Sequence, residues 1–325
     1  MRVFSGIQPT GIIHIGNYFG AIRNWVQIQQ EYECVFSIVN YHAITLPKKP
    51  EELKKQTYKI AAILLAAGIN PKKSILFVQS EVKEHTELCW ILNTITKIPE
   101  LERMTQFKEK AKEHKKDVNA GLFNYPILMA ADILLYETDI VPVGEDQKQH
   151  VELARTLARR FNTTFGETFK IPKVLIQKEA GKIMGLDNPL KKMSKSAKSP
   201  LNYISFDDSP QQIQEKIRKA VTDSGKEIKK SPQKPAISNL LNIYGLTSGK
   251  KTTAIEKEFE NKDYQDFKEN LSEVLINFLS PVQKRIKKFE KDQAYIENVL
   301  ENGKERAKGI AKKIIKKVKE RIGTF

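Results

Sequence analysis

The sequence predicts an α/β fold: a Rossmann-like parallel-sheet domain followed by an all-helical domain. Three observations carry this. Short runs of β-branched and aromatic residues alternate with helical patterns over roughly the first 200 positions. Strand-like runs nearly vanish after Ser196, where helix follows helix. The chain has 325 residues, 40% hydrophobic and 29% charged, enough to bury a sizeable core.

The strand candidates are residues 34–39, 74–78 and 140–143, each short and apolar as buried parallel strands are. Between the first two, residues 51–68 are helical: Leu53, Tyr58, Ile60, Ala61, Leu64 and Leu65 share a side, and Gly68 ends the run. Strands separated by helices predict a parallel sheet covered on both faces, with ligands outside the carboxyl ends of its strands. A boundary is expected near 197–208, giving a first domain at 1–200 and a helical one at 201–325. Helices are expected at 209–221, 239–244, 253–259, 264–290 and 292–322. The last is amphipathic, with Ile310, Ile314, Ile315, Val318 and Ile322 on one stripe and lysines elsewhere.

Charge narrows the partners. The formal net charge is +16, which favours polyanions such as nucleic acid. From position 304 to the end, nine Lys or Arg stand against Glu305 and Glu320, a local net of +7 (nine minus two). That charge would suit an anionic membrane surface as well, but no run approaches about 18 apolar residues, so no membrane span is expected, and a membrane is not among the expected partners. The N-terminal stretch lacks a signal-peptide pattern. Cys34 and Cys89 are the two cysteines, too few for a disulfide framework or a four-cysteine metal site. A reducing, cytoplasmic setting is expected. The five histidines have no metal-binding spacing, so no metal ligands are expected from the protein itself.

Two motifs carry phosphate chemistry. Lys192-Met193-Ser194-Lys195-Ser196 offers two cations, two hydroxyls and one apolar anchor in a basic loop. Far upstream, Pro9-Thr10-Gly11-Ile12-Ile13-His14-Ile15-Gly16-Asn17 reads as a tight turn opening a helix. There, free N–H groups attract anions, and His14 and Asn17 place side-chain donors one turn apart. Alone, the upstream motif is equally an ordinary helix start with a core histidine. The downstream match is rarer, its bland alternative being a solvated basic loop. In this order the pair resembles the ATP-handling motifs of class I aminoacyl-tRNA synthetases. No G-x-G-x-x-G occurs, and residues 245–252 fail the spacing of a P-loop. Lys192, Lys195, His14 and Asn17 are therefore the candidate catalytic groups, with magnesium arriving on ATP.

Longer stretches sharpen the resemblance. They include Phe4-Ser5-Gly6-Ile7-Gln8-Pro9, His42-Ala43-Ile44-Thr45, Met129-Ala130-Ala131-Asp132 and Val141-Pro142-Val143-Gly144-Glu145-Asp146-Gln147. Others are residues 100–108 and 237–244. Along nearly its whole length the chain resembles the bacterial tryptophanyl-tRNA synthetases. The resemblance implies a tryptophan–tRNA ligase: a catalytic Rossmann-like domain activates L-tryptophan with ATP, and the helical domain binds the anticodon of tRNA(Trp). It also implies a homodimer, whose interface is expected within about 80–137. No DNA partner is implied.

In tryptophan recognition, it implies that Asp132 accepts the indole N–H. Met129 lies three positions earlier on the same helix side, and Phe4, Val141 and Val143 form apolar walls. Gln147 and His42 fall around the amino and carboxyl ends of the substrate. For ATP it implies Gln8, Pro9, Thr10, Gly16, Asn17, Gly144, Glu145, Asp146, Ile183, Lys192, Met193, Ser194, Lys195 and Ser196. Asp132 could otherwise be a surface charge, Met129 plain core, and Gly144 to Asp146 a polar turn capping a helix. The sequence departs from the family pattern at Asn40, often Asp, and at His14, often Thr. The competing functional readings are a tyrosyl-tRNA synthetase, a non-catalytic tRNA-binding paralogue and a small-molecule adenylyltransferase.

Overall fold

A computed structural model describes residues 1–108, 118–176, 182–194, 197 and 199–324. Among these residues five parallel strands form one sheet: β1 (Arg2–Ile7), β2 (Glu33–Ile38), β3 (Ile75–Val78), β4 (Ile140–Val143) and β5 (Lys173–Ile176). Their order is β3-β2-β1-β4-β5. The chain builds outward from β1 to β3, then crosses back to lay β4 on the other side of β1. That reversal opens a crevice at the carboxyl ends of β1 and β4, where open α/β sheets bind ligands. The expected strands at 34–39, 74–78 and 140–143 form within a residue or so. β5 is a half-exposed edge strand of four residues, opening on Lys173 after Pro172, and its composition carries little signal.

Strand residues alternate between two cores. Cys34, Phe36 and Ile38 of β2 join one, and Val35 joins the other; Leu76 and Val78 of β3 oppose Ile75 and Phe77. The helix Pro50–Ala67 joins β2 to β3. Pro50 and the acidic Glu51 and Glu52 open it, and Gly68, at φ 116°, ends it in the left-handed conformation. Between β3 and β4 lie the helices Glu84–Ile95, Ile98–Glu102 and Ala120–Leu134. Among the described residues here, Trp90 and Ile98 are large apolar side chains left 73% and 62% exposed.

Beyond residue 200 come helices Pro210–Lys219, Pro235–Ser248, Thr252–Glu258, Tyr264–Lys291 and Gln293–Ile322. They match the expected helices in number and order among the described residues. Their apolar faces do not form a core of their own. Ile237, Leu240, Leu271, Leu275 and Leu279 join the same cluster as Val3, Ile15 and Phe36, so packing is continuous across the expected boundary. The final helix returns along the open edge of the sheet. Ile296, Val299 and Leu300 enter one core, and Ala307, Ala311, Ile314 and Val318 enter the other. Arg306 Nη1 donates to the carbonyls of Pro71 (2.9 Å) and Ser74 (3.0 Å), and Lys319 pairs with Glu87 at 3.2 Å. This covers β3, a bare edge of which would invite unwanted pairing.

Candidate active site

The two phosphate motifs, distant in sequence, meet in space. His14 forms an antiparallel bridge with Ser205. Ile15 N–H donates to Ile204 O at 3.0 Å, and Phe206 N–H to Ile13 O at 3.2 Å. The segment just after the basic loop is thereby sewn to the segment opening the first helix. Gly11, at φ 66°, makes the turn before it. A Cβ on Gly16 would stand 2.9 Å from the His14 ring, so glycine leaves that ring its place, and Met193 of the second motif lies within ordinary contact, 3.6 Å away at its Cβ.

Met193 is buried and its N–H donates to the carbonyl of buried Ile183 (3.0 Å). Ser194 N–H donates to Asn202 Oδ1 at 2.9 Å. Lys192 is exposed beside this anchor and bridges Met184. Lys195 and Ser196 lie outside the described residues. The ring of His14 is buried against Tyr203, with centroids 6.0 Å apart. Asn17 Oδ1 accepts the His14 N–H at 3.1 Å, so the donor end of its amide is not spent on this bond. Behind this junction Lys216 and Asp208 form a buried ion pair at 2.6 Å, and Asp208 Oδ2 also accepts the Ser205 N–H at 2.8 Å. Breaking such a pair from one side costs about 3–5 kcal/mol, so it holds the junction firmly.

The crevice between β1 and β4 contains a cavity of about 320 Å³, at the small end for ligand pockets. Phe4 and Gln8 enter from β1 and its end. Val141, Val143, Gly144 and Gln147 enter from β4 and the turn after it, and Met129 and Asp132 from the helix Ala120–Leu134. His42 comes from the short helix after β2. The residues singled out for tryptophan therefore line one pocket. Pro9, Thr10, Glu145 and Asp146 do not line this cavity; they sit on the turns at its rim. Asp146 Oδ2 accepts from Gln106 and Gln147, both at 3.1 Å. Tyr125 and Gln106, not singled out from sequence, also line the cavity, and the Tyr125 hydroxyl lies 2.9 Å from His150 Nε2.

Asp132 is 1% exposed. Its Oδ1 accepts from Gln79 Nε2 (2.7 Å) and faces His85 Nδ1 (2.6 Å), while Oδ2 faces His42 Nε2 at 2.7 Å. Burial pushes its carboxyl up, but the His42 and His85 rings outweigh that and hold it well below the usual carboxylate range. His42 thus spends one ring nitrogen on Asp132. Gln79, His85 and Tyr136 around this carboxylate were not predicted. Three separate chain segments supply them, and only Tyr136, four positions after Asp132, carries a local signal.

Asn40 also finds its place here. Its Nδ2 donates to Ser80 Oγ (2.8 Å) and its Oδ1 accepts the Ser80 N–H (3.1 Å), tying the ends of β2 and β3. Among the described residues no cluster of three or more His, Cys, Asp or Glu is arranged to hold a metal ion.

A parallel sheet with a reversal crevice, the two motifs closed on each other and a buried anion at a pocket with several apolar walls define a nucleotide-using α/β enzyme. Residues 1–280 match the family described as tRNA synthetases class I (W and Y). A tryptophan–tRNA ligase of Wolinella succinogenes is 53% identical over 99% of this chain and 98% of its own length. A solved tryptophanyl-tRNA synthetase of Campylobacter jejuni, complexed with ADP and tryptophan, superposes with a TM-score of 0.88. It is 37% identical over 99% of this chain and all of its own. That of Mycoplasma pneumoniae gives 0.89 at 35% identity, over 99% and 97% of the two chains. A tyrosyl-tRNA synthetase of Archaeoglobus fulgidus, at 21% identity and 0.69, shares the fold. The chain belongs to the class I tRNA synthetases for tryptophan and tyrosine, and within them to the bacterial tryptophan–tRNA ligases.

Proposed function

We propose that the tryptophan–tRNA ligase reaction of this chain runs in the crevice between β1 and β4, with Asp132 as the acceptor for the indole N–H. One observation carries the reading: a carboxylate buried at a pocket with the apolar walls Phe4, Met129, Val141 and Val143, with one acceptor position left beside the His42 bond. Phe4, Met129, Val141 and Val143 form the walls for the ring. Gln147 and His42 fall around the amino and carboxyl ends, His42 also bonding Asp132. A ring without a correctly placed N–H leaves the last acceptor position of Asp132 unpaired, which rejects phenylalanine and tyrosine without an editing site.

ATP lies over the closed pair of motifs. Gly16, Asn17 and the turn Gln8 to Thr10 take the adenosine and phosphates, and Gly144, Glu145 and Asp146 the ribose hydroxyls. Lys192, Lys195, Ser194 and Ser196 steady the departing diphosphate with magnesium carried on ATP, and His14, Ile183 and Met193 hold the loop in register. The substrate carboxylate attacks the α-phosphate and diphosphate leaves. The adenylate then passes its tryptophanyl group to the 2'-hydroxyl of the terminal adenosine of tRNA(Trp), releasing AMP. No covalent enzyme intermediate is required. Catalysis is positioning and charge stabilisation.

The exposed Trp90 and Ile98 support a homodimer formed through the helices between β3 and β4. The helices beyond 200 serve the tRNA. The exposed stripe of Lys312, Lys313, Lys316 and Lys317, opposite the packed face of the last helix, suits an RNA backbone. A cytoplasmic setting fits this role, and no described helix is long and apolar enough to cross a membrane.

Amino-acid-dependent ATP–pyrophosphate exchange tests the reading. Tryptophan is expected to support exchange and tyrosine to fall short on the order of 10⁴-fold. Exchange with tyrosine and none with tryptophan would overturn it.

A further inference from the structure

The tight engagement of Asp132 raises the question of what aims it. The outer torsion of an aspartate side chain is broad and has no sharp rotamer of its own. Hydrogen bonds must set the plane of this carboxylate. It has about four acceptor positions. Gln79 and His85 take both on Oδ1, and His42 takes one on Oδ2, so a single position is left, on Oδ2 of a residue that lines the slot.

Two of these donors are themselves oriented from behind. Gln79 Oε1 accepts the Tyr41 N–H at 3.0 Å, which turns its amide so that Nε2 is the end facing Asp132. The outer nitrogen of His85, Nε2, lies 2.7 Å from the Tyr136 hydroxyl. A hydroxyl donating there leaves the proton of a neutral ring on Nδ1, aimed at Oδ1 2.6 Å away. Both His85 and Tyr136 are fully buried. The Tyr136 ring stacks on Phe4, a wall of the slot, at 5.5 Å, and His85 stacks on Phe77 at 5.8 Å. Neither His85 nor Tyr136 lines the cavity.

We propose that His85, oriented by Tyr136, is a specificity-determining positioning residue: by pinning Oδ1 it turns the remaining acceptor of Oδ2 toward the indole N–H. This rests on the proposed reading of the pocket. The preference of the enzyme for a ring bearing an N–H then depends on a histidine that never touches substrate.

The test compares tryptophan with β-(3-benzothienyl)alanine, whose sulfur replaces the N–H at nearly the same shape. Pyrophosphate exchange by the full-length protein gives kcat/KM for each. The wild type is expected to favour tryptophan by roughly thirtyfold, the worth of a hydrogen bond to a charged group. His85→Leu should bring the ratio below about threefold by raising KM for tryptophan, with the benzothienyl analogue little changed. General damage to the pocket would instead weaken both substrates alike. His85→Asn, whose amide nitrogen stands where Nδ1 stood, should restore most of the ratio. Tyr136→Phe, the mildest change, should lower it severalfold.

If both His85→Leu and Tyr136→Phe keep the wild-type ratio, the inference is overturned while the pocket assignment stands. If His85→Leu fails to fold, Tyr136→Phe decides: a lowered ratio supports the inference and an unchanged one overturns it. A wild-type protein that exchanges with tyrosine and not tryptophan removes the underlying reading, and this inference with it.

Discussion

A carboxylate as deeply buried as Asp132 would cost several kcal/mol if left alone. The donors from Gln79, His85 and His42 offset that cost and keep it ionised. Its folded value lies below the unfolded one of about 4. The stabilisation it gives is therefore complete above that pH and drains as the pH falls toward the depressed value. Asp132→Asn should cost roughly 3 kcal/mol near neutrality. The difference in melting temperature between wild type and variant should hold from pH 8 to 5 and narrow below about pH 4. A gap that persists unchanged to pH 3, or one that closes near neutrality, would contradict this. The pocket wall was largely legible in the sequence: Met129, Asp132, Phe4, Val141 and Val143 sit in two short motifs and on one strand, and the structure brings them to one cavity. The supporting shell was not. Hydrogen bonds among residues 42, 79, 85, 132 and 136 depend on where strand ends fall, which local pattern does not encode.

At the scale of elements, helix periodicity was the most readable signal. The long helices form within a residue or two of expectation, because a stripe recurring every three to four positions over many turns leaves little ambiguity. Exceptions are instructive. The helix expected at 239–244 starts at Pro235 and runs to Ser248, where Gly249 at φ 76° caps it. The last helix reads as an amphipathic, basic element, and its lysines do face outward. Its partner was not legible, since nothing local says that its apolar stripe lies on β3. Gly303 records the contact: a Cβ there would stand 1.8 Å from the Leu76 carbonyl oxygen. Helix propensity alone favours alanine over glycine by about 1 kcal/mol. The clash wins, because a strand backbone cannot yield as a side chain can. Gly303→Ala should destabilise the protein by about 3 kcal/mol in urea denaturation, and a stabilised variant would contradict the packing.

At the scale of the whole molecule, alternation of strands and helices announces a parallel sheet but not its order. Where β4 returns beside β1 decides where the crevice opens, and that is a property of the chain's path rather than of any segment. The pairing of residues 13–15 with 204–206 is of the same kind. It brings the segment around position 192 against the turn that opens the first helix, and the helices beyond 200 share the core that fixes it. Such an arrangement ties the helices beyond 200 to the sheet and its crevice through packed contacts. Within that frame, the orientation of one carboxylate is expected to decide which ring the pocket accepts. A crystal structure of the protein with tryptophan measures it directly. The indole nitrogen is expected within hydrogen-bond range of Asp132 Oδ2, about 2.7–3.2 Å, between Phe4 and Met129. A ring bound elsewhere, or one whose nitrogen points away from Asp132, would contradict the account.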